Sequence, residues 1–136
     1  MTASRPERPK PLRVLVADDD KVFTTLYATA FAQRGWVVDM AFDAMQALML
    51  AQRNPGPDAI VLDLMMPAGT GYHTLQRLRQ SSRTARIPVI VVTGTPEADA
   101  EAKVKAFGAA QFIKKPTTPD DVAAAIEAAV AATRPA

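Results

Sequence analysis

From residue 12 onward, short β-branched apolar runs alternate with stretches whose apolar residues recur at helical spacing, and the alternation repeats five times. Parallel strands cannot be joined by tight turns, so this alternation forces a parallel sheet whose strands are linked by crossover helices. The strand runs are Leu12–Ala17, Trp36–Ala41, Ala59–Leu62, Val89–Val92 and Ala110–Lys114. The unbroken apolar character of the first marks it as covered on both faces. An α/β fold around a five-stranded parallel sheet is expected.

The segments between them supply the helices. Over Lys21–Arg34 the residues Val22, Phe23, Leu26, Tyr27, Ala30 and Phe31 form an expected inward stripe, and Gly35 stops the helix. Asp43 with Gln46 suits a capping box for a second helix carrying Ala47, Leu48 and Leu50, which Asn54-Pro55-Gly56-Pro57 ends. A third helix turns Tyr72, Leu75 and Leu78 inward. Thr95-Pro96-Glu97 reads as an N-cap, a proline at the first helical position and an acidic first turn, predicting a fourth helix that runs through Phe107. Thr118-Pro119-Asp120-Asp121 opens the last helix, which buries Val122, Ile126, Ala129 and Val130.

A chain of 136 residues fits one domain with a real core. It has no cysteine, which excludes disulfides and thiolate metal sites, and no apolar run long enough to span a bilayer or to serve as a signal peptide. A cytoplasmic protein without a membrane role is expected. Of the charged residues, Arg5, Arg8, Lys10 and Arg13 are set against only Glu7 in residues 1–13, so the positive net charge of the chain comes from this segment. The remainder is near neutral and offers no electrostatic footprint for nucleic acid. Residues 1–11, with Pro6, Pro9 and Pro11, read as a disordered leader, and residues 12–134 as the domain.

In a parallel sheet the loops at the carboxyl ends of the strands share one edge, and ligands bind there. Asp18-Asp19-Asp20 follows the first strand, Asp63 the third, Thr93 the fourth and Lys115 the fifth. Neighbouring carboxylates repel, so a fold that gathers them has a cation to neutralise them. Hard oxygen ligands suit Mg²⁺, with Mn²⁺ as an alternative. A carboxylate such as Asp63 can attack phosphorus, provided that the charge on the transferring group is neutralised. Lys115 and the Thr93 hydroxyl would serve the other phosphoryl oxygens.

The ordered motifs Val-Ala-Asp-Asp-Asp, Val-Leu-Asp-Leu-Met-Met-Pro with Gly71, Val-Val-Thr-Gly and Phe-Ile-Lys-Lys-Pro resemble those of the receiver domain of bacterial two-component response regulators. The likeness covers roughly residues 12–132 and implies a flavodoxin-like, doubly wound (βα)5 fold with strand order 2-1-3-4-5. By position, Asp63 resembles the phosphoacceptor, Asp18 and Asp19 the metal-binding pair, and Met65 the residue whose backbone carbonyl completes the metal shell. Thr93 resembles the switch hydroxyl, Lys115 the phosphate-binding lysine and Phe112 the aromatic switch. The implied partners are a histidine kinase or histidine phosphotransfer protein as donor, a downstream protein or fused effector domain as target, and a phosphorylation-dependent homodimer. Departures from the family pattern are Ala68-Gly69 in the loop after Pro67, and Thr117 where an aromatic often follows Lys-Pro.

Several residues have plainer readings. Asp20 abuts the first helix and suits its N-cap. His73 has no second imidazole near it in sequence and is expected to face solvent, while Lys114 alternates to the face opposite Lys115. Phe112 in a strand is equally readable as core. A phosphatase working through an aspartyl phosphate would want a second Asp where Met65 stands. A docking module independent of phosphorylation would be expected to lack the Asp or the Lys, and both are present. A flavin or nucleotide carrier of this topology would want a Gly-rich phosphate loop where the three aspartates lie. With no effector sequence after Ala136, a stand-alone receiver or a domain of a longer chain are both expected forms. An apolar Met65 side chain cannot orient water, so slow autodephosphorylation is expected, with Thr95 as the second position of influence.

Overall fold

The computed structural model describes residues 10–67 and 70–133. The expected leader lies mostly, and the Ala68-Gly69 departure wholly, outside the described residues. In chain order the elements are β1 (Arg13–Ala17), α1 (Lys21–Gln33), β2 (Val37–Ala41), α2 (Ala44–Ala51), β3 (Ala59–Leu62), α3 (Gly71–Gln80), β4 (Val89–Thr93), α4 (Ala100–Ala106), β5 (Gln111–Lys114) and α5 (Pro119–Thr133). The five strands form one parallel sheet in the order β2-β1-β3-β4-β5. Fold class and strand order are those expected.

Alternation along the strands splits the core in two. Val14, Val16, Val61, Ile90 and Val92 face Tyr27 and Phe31 of α1 and Val122 and Ile126 of α5. Leu15, Ile60, Leu62, Val89 and Val91 face the side formed by α2, α3 and α4, where Ala47, Leu75, Leu78 and Val104 meet them. Helices therefore cover both faces of the sheet.

Local signals explain most boundaries. The Asp20 carboxylate accepts the N–H groups of Val22 and Phe23 and so caps α1, which ends before Gly35 at φ +86°. Asp43 caps α2 by accepting the Gln46 N–H, and the Gln46 amide oxygen accepts the Phe42 N–H. The Thr118 hydroxyl accepts the Asp121 N–H at the start of α5. No helix among the described residues is long and apolar enough to cross a membrane.

Two expectations fail. The fourth helix does not start at Pro96: Thr95 is buried and its hydroxyl accepts the Glu97 N–H in a local turn, so the helix forms only from Ala100. Residues 96–99 are all exposed, and only Ala100 and Val104 offer the helix an inward face. The α1 stripe is also narrower than expected. Thr24, Tyr27 and Phe31 form the buried face, whereas Val22 and Leu26 are 78% and 56% exposed. At 3.6 residues per turn Val22 and Leu26 fall on nearly the opposite side from Phe31, beyond the reach of the sheet and α5.

Candidate functional site

The register of β1 against its two neighbours, β2 and β3, builds the site. Ala17 pairs with Ala41 of β2 and with Leu62 of β3, so Asp18 and Asp63 leave the sheet at the same level. Backbone bonds extend the ladder past the strand ends: the Asp18 N–H donates to Ala41 O and the Asp63 N–H to Ala17 O, both at 3.0 Å. Asp18 and Asp63 are buried, Asp19 is exposed, and one oxygen from each of the three carboxylates lies within 4.8 Å of the others. Lys115, just past β5, reaches across this edge. Its Nζ donates to Asp18 Oδ2 at 2.7 Å and to Asp63 Oδ2 at 3.5 Å.

Charge in this pocket is unbalanced. Burial raises the Asp18 pKa above the usual carboxylate range, against the lowering effect of the Lys115 bond and of the Asp20 N–H at 2.9 Å, while the Asp63 charge raises it further. For Lys115, burial acts to lower the pKa, but the bond to Asp18 and the charges of Asp63 and Asp18 together outweigh it, so the net shift is upward. One ammonium thus stands against three carboxylates, all hard oxygen donors. That donor set fits a divalent cation such as Mg²⁺ held by Asp18, Asp19 and Asp63.

A second layer fixes these groups. The Asp63 Oδ1 accepts the Met65 N–H at 3.1 Å, which leaves the Met65 side chain 54% exposed. Gly71 sits so close to the chain after β3 that an added Cβ would lie 2.4 Å from Leu64 Cα and 2.8 Å from Asp63 O. Thr24 is fully buried, and its hydroxyl lies 3.0 Å from Asp18 O and 2.8 Å from Asp20 O, bracing the acidic loop from α1. Sequence reading passed over Thr24, which nothing in the sequence sets apart from Thr25 and Thr29 of the same helix. Phe23, read only as core, has its ring centroid 4.1 Å from Lys115 Nζ.

Thr93 ends β4, is fully buried, and accepts the Thr95 N–H on its hydroxyl at 3.3 Å. The Lys115 N–H donates to Thr93 O at 2.8 Å, which ties the ends of β4 and β5 together. The structure therefore brings Asp18, Asp19, Asp63 and Lys115 into one cluster and ties Thr93 to Lys115 through the backbone. Phe112 stands apart, half-buried in β5 against the α2, α3 and α4 side of the core. His73 and Lys114 are exposed.

A family model for the response regulator receiver domain matches residues 14–127. The chain belongs to this family. Receiver domains of this kind are parts of two-component signalling proteins and are not turnover enzymes. Among curated relatives, it is 34% identical over 118 residues to the DNA-binding dual master transcriptional regulator RpaA of Synechocystis sp., covering 85% of this chain and 48% of that one. It is 31% identical over 116 residues to the phosphate regulon transcriptional regulatory protein PhoB of Escherichia coli, covering 85% and 50%. This receiver chain thus spans about half the length of these relatives. The structure of the receiver domain of Francisella response regulator 1452 superposes with a TM-score of 0.82 at 30% identity, covering 90% of this chain and 99% of that one.

Proposed function

We propose that this receiver is a phosphorylation switch in which Asp63 accepts a phosphoryl group from a phosphohistidine. The observation that supports this reading best is the Lys115 ammonium bridging Asp18 and Asp63 at the edge where Asp19 completes an acidic cluster. Asp63 attacks phosphorus through one carboxylate oxygen. An O–P bond forms, the N–P bond of the donor breaks, and the leaving imidazole nitrogen takes up the electron pair and then a proton. Lys115 transfers its hydrogen bonds from the carboxylates to a phosphoryl oxygen, and the Thr93 hydroxyl releases the Thr95 N–H to bind another. Mg²⁺, or Mn²⁺ in its place, held by Asp18, Asp19, Asp63 and the Met65 carbonyl, would supply positive charge beside the transferring group.

The donor, a histidine kinase or histidine phosphotransfer protein, approaches from the open carboxyl edge. Beside that edge Val22 and Leu26 present exposed apolar surface, and with Phe23, Tyr27, Lys115 and Pro116 they line a groove of about 490 Å³. An apolar helix bearing the phosphohistidine fits such a surface. Movement of Thr93 shifts the β4–α4 loop, and Phe112 repacks against α4, so that a downstream protein, a fused effector domain or a second copy of the chain binds differently. The protein works in the cytoplasm in this reading, and neither DNA nor membrane contacts residues 12–134 directly.

The reading is tested by incubation with acetyl phosphate and Mg²⁺. A base-labile, hydroxylamine-sensitive label that EDTA prevents is the expected result. An unlabelled wild-type protein, or labelling unaffected by EDTA, overturns it.

A further inference from the structure

The Lys115 ammonium lies 4.1 Å from the Phe23 ring centroid while its other contacts are the two buried carboxylates. A lysine is a flexible four-carbon stem ending in a compact charge, so its placement depends on what surrounds it. The ring face of Phe23 attracts that charge through its quadrupole and adds a third contact beside the two carboxylates. Phe23 is itself packed against a second ring. Its ring stacks on Tyr27 with centroids 4.0 Å apart and planes 20° apart, and Tyr27 is buried.

This aromatic pair is rooted in both loops that build the site. The Phe23 N–H donates to the Asp20 cap at 3.1 Å, directly after the acidic pair. The Tyr27 hydroxyl donates to the Thr117 carbonyl at 2.9 Å, two residues past Lys115. Thr117 is small, and the aromatic body beneath the loop comes from α1 instead.

We propose that Phe23 is a positioning residue for phosphoryl transfer, its ring face holding the Lys115 ammonium at the Asp18–Asp63 edge and Tyr27 anchoring that ring to the Lys115–Thr117 loop. This rests on the phosphoacceptor reading of Asp63. Phe23 touches neither phosphoryl group nor metal, and acts through Lys115 alone.

The test compares wild type, Phe23→Leu and Phe23→Tyr in the intact chain. In the metal-free proteins, the Lys115 ε-methylene protons are read by NMR, where a proton above a ring face is shifted upfield. In parallel, the rate of phosphorylation by acetyl phosphate with Mg²⁺ is followed as a function of donor concentration. The expected result is an upfield shift in wild type and Phe23→Tyr that is lost in Phe23→Leu. The saturating rate falls on the order of tenfold in Phe23→Leu and is restored in Phe23→Tyr. A wild-type rate in Phe23→Leu, an equal loss in Phe23→Tyr, or ε-protons at their ordinary position in wild type overturns the proposal. A wild-type protein that takes no phosphoryl group overturns the phosphoacceptor reading itself, and with it this proposal. The metal-free NMR comparison then still shows whether the ring holds the lysine.

Discussion

One methyl group is enough to disturb the chain that carries Asp63. At Gly71 an added Cβ would overlap backbone atoms of Leu64 and Asp63, so Gly71→Ala is expected to cost about 1–3 kcal/mol of stability in urea unfolding, as overpacking does. It also displaces the residue after Asp63 and is expected to slow phosphorylation more than the stability loss explains. Thr24→Val removes the hydroxyl between the Asp18 and Asp20 carbonyls while keeping the shape. Its expected cost is about 1 kcal/mol, with weaker Mg²⁺ binding by calorimetry because the acidic loop is no longer braced. Binding unchanged from wild type would assign Thr24 to packing alone. At this scale Asp18, Asp19, Asp63 and Lys115 were legible because charged residues at the ends of apolar runs have few reasons to be there. Thr24 and Phe23 were not, because nothing in the sequence sets Thr24 apart from Thr25 and Thr29, and Phe23 belongs to the apolar period of α1 that reads as core.

The elements show where periodicity misleads. An apolar residue every three or four positions defines an arc but not which part of it meets the core, and α1 carries apolar residues on two faces. The buried one belongs to Tyr27 and Phe31, which meet edge to face at 6.0 Å beneath the sheet. Phe31→Ala is expected to cost about 3–5 kcal/mol, measured by chemical denaturation. The exposed face behaves differently. The double variant Val22→Ser, Leu26→Ser should change stability by no more than about 0.5 kcal/mol per site and leave labelling by acetyl phosphate intact, yet slow transfer from a phosphorylated histidine kinase by about tenfold. Equal kinase transfer to wild type and variant would remove this face from donor docking. The start of α4 was misread for a related reason: Thr95-Pro96-Glu97 satisfies the rules for a helix start, but buried Thr95 uses its hydroxyl in a turn, and only Ala100 and Val104 have somewhere apolar to go.

For the whole molecule, the alternation of strands and helices was enough to imply a parallel sheet with its site at the carboxyl edge. Strand order was not contained in that alternation and came from likeness to a family. It matters because placing β1 between β2 and β3 is what sets Asp18 beside Asp63. The sheet then acts as a rigid frame that aligns groups forty-five residues apart in sequence. In the proposed switch the lifetime of the phosphorylated state depends on the open edge, where the exposed Met65 side chain has no group to orient water. Replacing it with Asn is expected to hasten loss of the phosphoryl group severalfold, followed by decay of label after donor removal, while complete decay in wild type within seconds would contradict a slow intrinsic rate. The decisive observation is the mass of the intact chain after incubation with acetyl phosphate and Mg²⁺. Wild type should gain a single phosphoryl group and Asp63→Asn none; an unmodified wild type, or an adduct that survives Asp63→Asn, would contradict Asp63 as the acceptor.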